Sequence, residues 1–392
     1  MIGGDVIGIG GYGCVFRPQL KCKSRRGRTK GDKISKLMTR KNGIKEYKNV
    51  KKILSYVKKI PNYRKYFILD DITKCNTYPL PVVYTKTIGK CSGSLGTDDL
   101  TKINKKITDG ELISVNVPYG GVSLLTILNT MIFSEFDKDK HLHQSFCDTL
   151  DNLVDLLLNA IVKLKTKGIY HNDIKSDNIL YSYDAKTNKS YYRIIDWGVS
   201  VTTRTPSRFI DSGMRPIQWN SPFISSLVLS PIYESFPEIV GHYNIKGKSA
   251  IECASIFNKY LSNFSKQLEY IEDSILKVIF KSKTDYPKIG DILGSHMEKV
   301  MDTYNTTSRD RNKFIGNILS HNMDIYGFIS IFIDLLIVNH SSGYNGAIEH
   351  PLFEYMKDFV WKYYYSDRYV TTKISVPELV DDILKMKYIH AF

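Results

Sequence analysis

One stretch constrains this chain more than any other: Tyr170-His171-Asn172-Asp173-Ile174-Lys175-Ser176-Asp177-Asn178-Ile179-Leu180. It holds an aspartate, a lysine two residues on and an asparagine five residues on. Eighteen residues after Asn178, a second aspartate follows in Ile194-Ile195-Asp196-Trp197-Gly198. A carboxylate to take a hydroxyl proton, a nearby cation and two further oxygen donors form the set that phosphoryl transfer from a nucleotide requires. In that chemistry Asp173 orients the acceptor hydroxyl and accepts its proton, and Lys175 offsets charge on the moving phosphoryl group. Asn178 and Asp196 are hard oxygen ligands of the kind magnesium takes. Each residue alone would be an ordinary polar surface group. Their order and spacing carry the reading.

The N-terminus offers a matching feature. Val6-Ile7-Gly8-Ile9-Gly10-Gly11-Tyr12-Gly13-Cys14-Val15-Phe16 places glycines at 8, 10 and 13, with Val15 two residues beyond. A glycine-rich turn between two antiparallel strands lets the backbone approach phosphates closely. Ile7, Gly8, Gly10, Gly11, Tyr12, Gly13 and Val15 are the candidate contacts. A dinucleotide-binding fold shares the spacing, and Asp32 stands near the distance of a ribose-binding acid. That fold demands a helix directly after Gly13, whereas Cys14-Val15-Phe16-Arg17-Pro18 reads as a strand ending at a proline.

Asp32-Lys33-Ile34-Ser35-Lys36-Leu37-Met38 reads as a third strand carrying a phosphate-gripping lysine. Lys33 and Lys36 compete and fall on opposite faces, because strand side chains alternate. Lys36 is favoured, since it shares its face with Ile34, an apolar ceiling for an adenine. Ile44, Tyr47, Val50, Leu54 and Val57 recur at helical spacing over Asn42–Ile60, closed by Pro61. Glu46 lies in the first turn and is the candidate to hold the lysine; the alternative is a surface glutamate among lysines. Glu111 to Gly121 reads as a strand running into a hinge, with the backbone of Val117 to Tyr119 facing the adenine edge. A helix through Leu150, Leu153, Val154, Leu157, Ile161 and Leu164 ends at Gly168. Two short strands, Ile179–Tyr183 and Tyr191–Ile195, follow the 170s stretch.

Together these motifs resemble the protein-kinase patterns G-x-G-x-x-G-x-V, H-R-D-x-K-x-x-N and D-F-G. The resemblance spans Gly8 to about residue 385. The opening Gly-Gly-Tyr-Gly-Cys-Val-Phe-x-Pro looks closest to the divergent serine/threonine kinases of large cytoplasmic DNA viruses. It implies an α+β, bilobal protein-kinase-like fold, with a small antiparallel β lobe over 1–118 and a large, mainly α-helical lobe over 119–392. ATP and Mg2+ are the implied cofactors, with Asp173, Lys175, Lys36 and Glu46 catalytic and Asn178 and Asp196 on the metal. Lys175 fits the serine/threonine type of loop, so the implied substrate is a protein with Ser/Thr acceptors. Asp324-Ile325-Tyr326-Gly327 resembles the start of the central large-lobe helix, whose Asp braces the catalytic loop. About a hundred residues separate Pro222 from it, which implies a helical insertion about 224–320 and a possible partner surface.

The chain departs from the family at three places. Asn172 replaces the arginine that a phosphate on the activation segment normally pairs, which removes Thr202, Thr203, Thr205 and Ser207 as that switch. Trp197 replaces a phenylalanine. Asn220-Ser221-Pro222-Phe223 stands where A-P-E is expected, so the glutamate that braces the segment is missing.

Composition sets the remaining bounds. A hydrophobic content of 42% over 392 residues supports a proper core. Six cysteines without C-x-x-C or zinc spacing read as reduced thiols of an intracellular, cytoplasmic protein, in host cytoplasm or a virion if viral. The apolar stretch Tyr326–Val338 is broken by Asp334 and reads as a buried core helix rather than a transmembrane segment. The net charge of +15 includes a dense basic run over 21–30. Without interleaved aromatics this run reads as a solvated loop, and direct nucleic-acid binding is the lesser reading. The competing functions are a pseudokinase-type scaffold and a kinase-fold phosphotransferase acting on a small molecule.

Overall fold

The computed structural model describes residues 5–10, 13–23, 32–204, 219–228, 276, 289–304, 308–342 and 348–389. Gly11, Tyr12, Thr205, Ser207, most of the basic run and most of the 224–320 insertion lie outside them. The chain divides into two compact units, residues 1–121 and 122–392.

The first unit is built on an antiparallel five-stranded sheet. Its strands are β1 (Asp5–Gly10), β2 (Gly13–Arg17), β3 (Lys33–Thr39), β4 (Thr73–Cys75) and β5 (Leu112–Pro118), in the order β1-β2-β3-β5-β4. Alternation along β3 is strict at its start: Lys33, Ser35 and Leu37 are buried, while Ile34 and Lys36 face the other way. Helix α1 (Arg40–Val57) follows directly, its first turn capped by Thr39, whose hydroxyl accepts from the Asn42 amide. It starts two residues earlier than the periodicity predicts. Phe16, Leu37, Leu80, Tyr84, Ile88, Ile103 and Ile107 fill the core between the sheet and the short helices behind it, which include α2 (Leu100–Thr108).

Four cysteines of this unit are paired, contrary to the expectation of reduced thiols. Cys14–Cys91 ties β2 to a helical turn, and Cys22–Cys75 ties the chain after β2 to β4. Their Cα atoms are 5.7 and 5.6 Å apart, within ordinary cystine geometry. The sulfurs of the second pair lie against Asn116, whose amide Nδ2 donates to Cys22 at 3.3 Å. The Ser35 and Ser114 hydroxyls donate to the same side chain's Oδ1. Spacing in the sequence could not expose this, because the partners are distant and brought together only by the sheet.

The second unit is mainly helical, with two small sheets. Strands β6 (Val122–Ser123), β8 (Ile179–Asp184) and β9 (Lys189–Ile194) form one sheet; β7 (Ile169–Tyr170) pairs with β10 (Val201–Thr202) in the other. Helix α3 (Lys140–Leu156) is capped by Asp139 and continues through a π-helical turn to Thr166. Gly168, at φ +68°, turns the chain out of it into β7. Helix α4 (Ile289–Thr303) is the longest described piece of the insertion. Helices α5 (Ser320–Ser341), α6 (Pro351–Val360) and α7 (Val376–Lys385) complete the unit.

Helix α5 is the centre of this core, buried on every side from Asn322 to Ile333. With the turns before it, the helical segment runs Arg311–Ser341, so length alone no longer argues against a membrane span. Burial does: 78% of its most apolar window is buried within the protein. An all-round apolar helix of this kind is what the middle of a helical domain requires.

Candidate active site

Lys36 and Glu46 meet in the first unit. Lys36 Nζ lies 2.9 Å from one Glu46 carboxylate oxygen and 3.1 Å from the other, with both side chains only about one-sixth exposed. Lys33, on the buried face, donates to the Asp71 carbonyl at 2.9 Å and stands 4.0 Å from that residue's exposed carboxylate. Lys36 is thus the lysine with a carboxylate partner on the face shared with Ile34.

The glycine-rich strands pair Gly8 with Val15 and Gly10 with Gly13. Ile7 and Ile9 are about half-exposed. Gly13 has a structural reason of its own: a Cβ there would lie 2.7 Å from the Leu37 carbonyl oxygen. Glycine at 13 is therefore demanded by β2–β3 packing, whatever lies over the turn. In the hinge stretch, Val117 pairs with Ile34 and the Tyr119 N–H donates to the Asp32 carbonyl at 3.0 Å. That N–H is consequently not on offer to an adenine edge. The Tyr119 ring carries the Arg17 guanidinium, 3.5 Å from its centroid.

In the second unit Lys175, Asn178 and Asn220 converge on the carboxylate of Asp173. Asn178 Nδ2 donates to the Asp173 carbonyl at 2.8 Å and to Asp173 Oδ2 at 2.9 Å. Asn220 Nδ2 donates to Asp173 Oδ1 at 2.8 Å and to the Ile174 carbonyl at 3.1 Å. Lys175 Nζ stands 3.7 Å from Oδ1. Asp173, Asn178 and Asn220 are all buried. The Ile195 N–H donates to the Asn178 carbonyl at 2.9 Å, so the segment bearing Asp196 is stitched to the loop that carries Asp173. Asp196 is exposed and takes φ +59°, a left-handed conformation that a non-glycine residue adopts rarely and that recurs at functional sites.

Helix α5 holds this loop from beneath. Asp324 Oδ2 accepts the His171 N–H at 2.9 Å and Oδ1 accepts the Asn172 N–H at 2.8 Å. Burial raises the Asp324 carboxyl above the usual range, opposed by those N–H donors. One turn on, a Cβ at Gly327 would come 2.6 Å from the Ile174 carbonyl oxygen and 3.1 Å from that of Asn220. Only glycine lets the loop and the 220s segment lie this close to the helix. Ten residues beyond Asp324, Asp334 accepts a short hydrogen bond from the Ser176 hydroxyl. Burial pushes Asp334 up to about 7.

The His171 ring stacks edge-on to Trp197 at 4.6 Å, and its Nε2 is 3.0 Å from the Ile195 carbonyl. Trp197 fills its buried place as an apolar body. Asn172 takes φ +62°, and among the described residues its buried side-chain amide has no hydrogen-bond partner. The segment after Asn220 is held by aromatic packing. Phe223 lies 5.3 Å from Tyr364, 5.7 Å from Tyr365 and 6.4 Å from His296 of α4. Part of the insertion thus braces the segment through an aromatic cluster. The sequence analysis placed Asn220 in the stretch standing where A-P-E is expected and gave it no role of its own. An amide side chain two residues before a proline carries no signal that would select it.

No family model matches the chain, and no curated protein matches it.

Proposed function

We propose that this chain is a serine/threonine protein kinase that transfers the γ-phosphate of magnesium-ATP to protein hydroxyl groups. The observation that carries the reading is the carboxylate of Asp173. One oxygen is held by Asn178, the other by Asn220, and an ammonium group stands 3.7 Å away. Each oxygen keeps acceptor capacity beyond the bond it accepts, so a fixed lone pair can orient a hydroxyl and take its proton. Lys175 is placed to offset charge as a phosphoryl group moves.

The donor set suits magnesium. With Nδ2 given to Asp173, Asn178 retains a neutral amide oxygen, and Asp196 presents an exposed carboxylate. Among the described residues no group of three His, Cys, Asp or Glu side chains could hold a metal ion by itself. Magnesium fits such a site because it keeps waters and takes nucleotide phosphates as further ligands. When bound, it would neutralise phosphate charge. Lys36, fixed by Glu46, is the residue we assign to the α- and β-phosphates.

On this reading the two units are the small and large lobes of a protein-kinase-like fold, most like the divergent kinases of large DNA viruses. The paired cysteines favour an oxidising setting, such as a particle, over the reducing cytoplasm. The insertion is the candidate partner surface.

The test is transfer of labelled γ-phosphate to a basic protein, to casein and to small-molecule alcohols. Label on protein hydroxyls supports the proposal. Label on small molecules alone would move it to a small-molecule phosphotransferase, and nucleotide binding without transfer to a scaffold.

A further inference from the structure

We infer that Asn220 is a positioning residue for Asp173, a latch that fixes the carboxylate from the segment preceding Pro222. The inference rests on the phosphoryl-transfer reading for its functional meaning, though not for its geometry. Both hydrogens of the Asn220 amide are committed to the loop, one to Asp173 Oδ1 at 2.8 Å and one to the Ile174 carbonyl at 3.1 Å. A primary amide has two donor hydrogens, so the side chain has no donor left for another role. Asn178 holds the opposite oxygen. Two amides on two oxygens stop the carboxylate from rotating, where either alone would leave it a hinge.

The latch is itself anchored. Asn220 is 4% exposed, and Ser221, Pro222 and Phe223 are buried after it. Phe223 sits in the cluster of Tyr364, Tyr365 and His296. From below, Gly327 leaves room for the Asn220 carbonyl. An amide cannot titrate between pH 5 and 10, so this hold does not depend on protonation or on a phosphate group. Asn172 supplies no arginine to receive such a phosphate, and Asn220 makes the corresponding order permanent.

Two variants separate the roles. Asn220→Ala removes the donor, and Asn220→Asp keeps the shape while setting a second carboxylate against Asp173. In Asn220→Ala, kcat should fall on the order of tenfold to a hundredfold with nucleotide affinity unchanged, and Asn220→Asp, which cannot donate, should fall at least as far. A residue that only stabilised the fold would lower the thermal midpoint without this split between kcat and nucleotide affinity. 15N NMR of the Asn220 side-chain amide, assigned through Asn220→Ala, reads the same contact without turnover. Its hydrogens should be protected from exchange in the wild type and exchange faster in Asp173→Ala. Unchanged exchange in Asp173→Ala, or an unchanged kcat in Asn220→Ala, overturns the latch. A wild type that transfers no phosphate yet shows the protected amide would refute the kinase reading and leave the latch standing.

Discussion

The hydroxyl of Ser176 donates to the carboxylate of Asp334, joining the loop that carries Asp173 to the middle of the core helix. An ordinary aspartate titrates near 4, whereas burial raises Asp334 to about 7. Between those values the folded protein binds more protons than the unfolded chain, so stability falls as pH rises. The contribution is fully present below about pH 4 and is lost above about pH 7. Asp334→Asn should flatten this slope, which is at most about 1.4 kcal/mol per pH unit. Urea unfolding of both proteins at pH 5 and pH 8 measures it, and equal slopes would refute it.

Asp324 gives a sharper prediction, because it accepts two buried backbone N–H groups at once. Asp324→Ala orphans both and should cost about 2–5 kcal/mol of stability. Asp324→Asn retains one acceptor oxygen and should cost less. Hydrogen exchange at His171 and Asn172 reports it: both amides should exchange faster in the alanine variant.

The cystines predict a redox-dependent stability. They close loops of 77 and 53 residues in sequence separation, worth about 4 kcal/mol each in the chain-entropy account. Reductant should lower the unfolding midpoint of the first unit. In denaturant without reductant, Cys14, Cys22, Cys75 and Cys91 should resist alkylation. Labelling of all four would contradict the pairing.

Activity should be independent of phosphorylation of the protein itself. A buried, neutral Asn172 cannot pair a phosphate as an arginine would, and Asp173 is already held by Asn178 and Asn220. Phosphatase-treated protein from a bacterial host should transfer phosphate as fast as untreated protein. A rate recovered only after phosphorylation would contradict this.

What the sequence made legible was local. Asp173, Lys175 and Asn178 lie within six residues, so their spacing alone argues chemistry. The strand period separated Lys36 from Lys33, and the apolar run after Asp324 marked the core helix. The contacts left unread are long-range. Asn220 reaches Asp173 across 47 residues, and each cystine joins chain segments that only the sheet aligns. The Tyr119 N–H is consumed by strand pairing with Asp32, a matter of register that a glycine-bounded hinge pattern does not specify. Gly13 carried a second meaning, packing against Leu37, that the phosphate-loop spacing concealed.

The most direct test compares γ-phosphate transfer from magnesium-ATP by wild type, Asp173→Asn and Asp196→Ala, alongside nucleotide binding. Removing the proposed proton acceptor or the proposed metal ligand should lower transfer on the order of a hundredfold or more, with the fold intact by thermal unfolding. Equal background in all three proteins, with nucleotide still bound, would contradict a catalytic Asp173 and leave a nucleotide-binding scaffold.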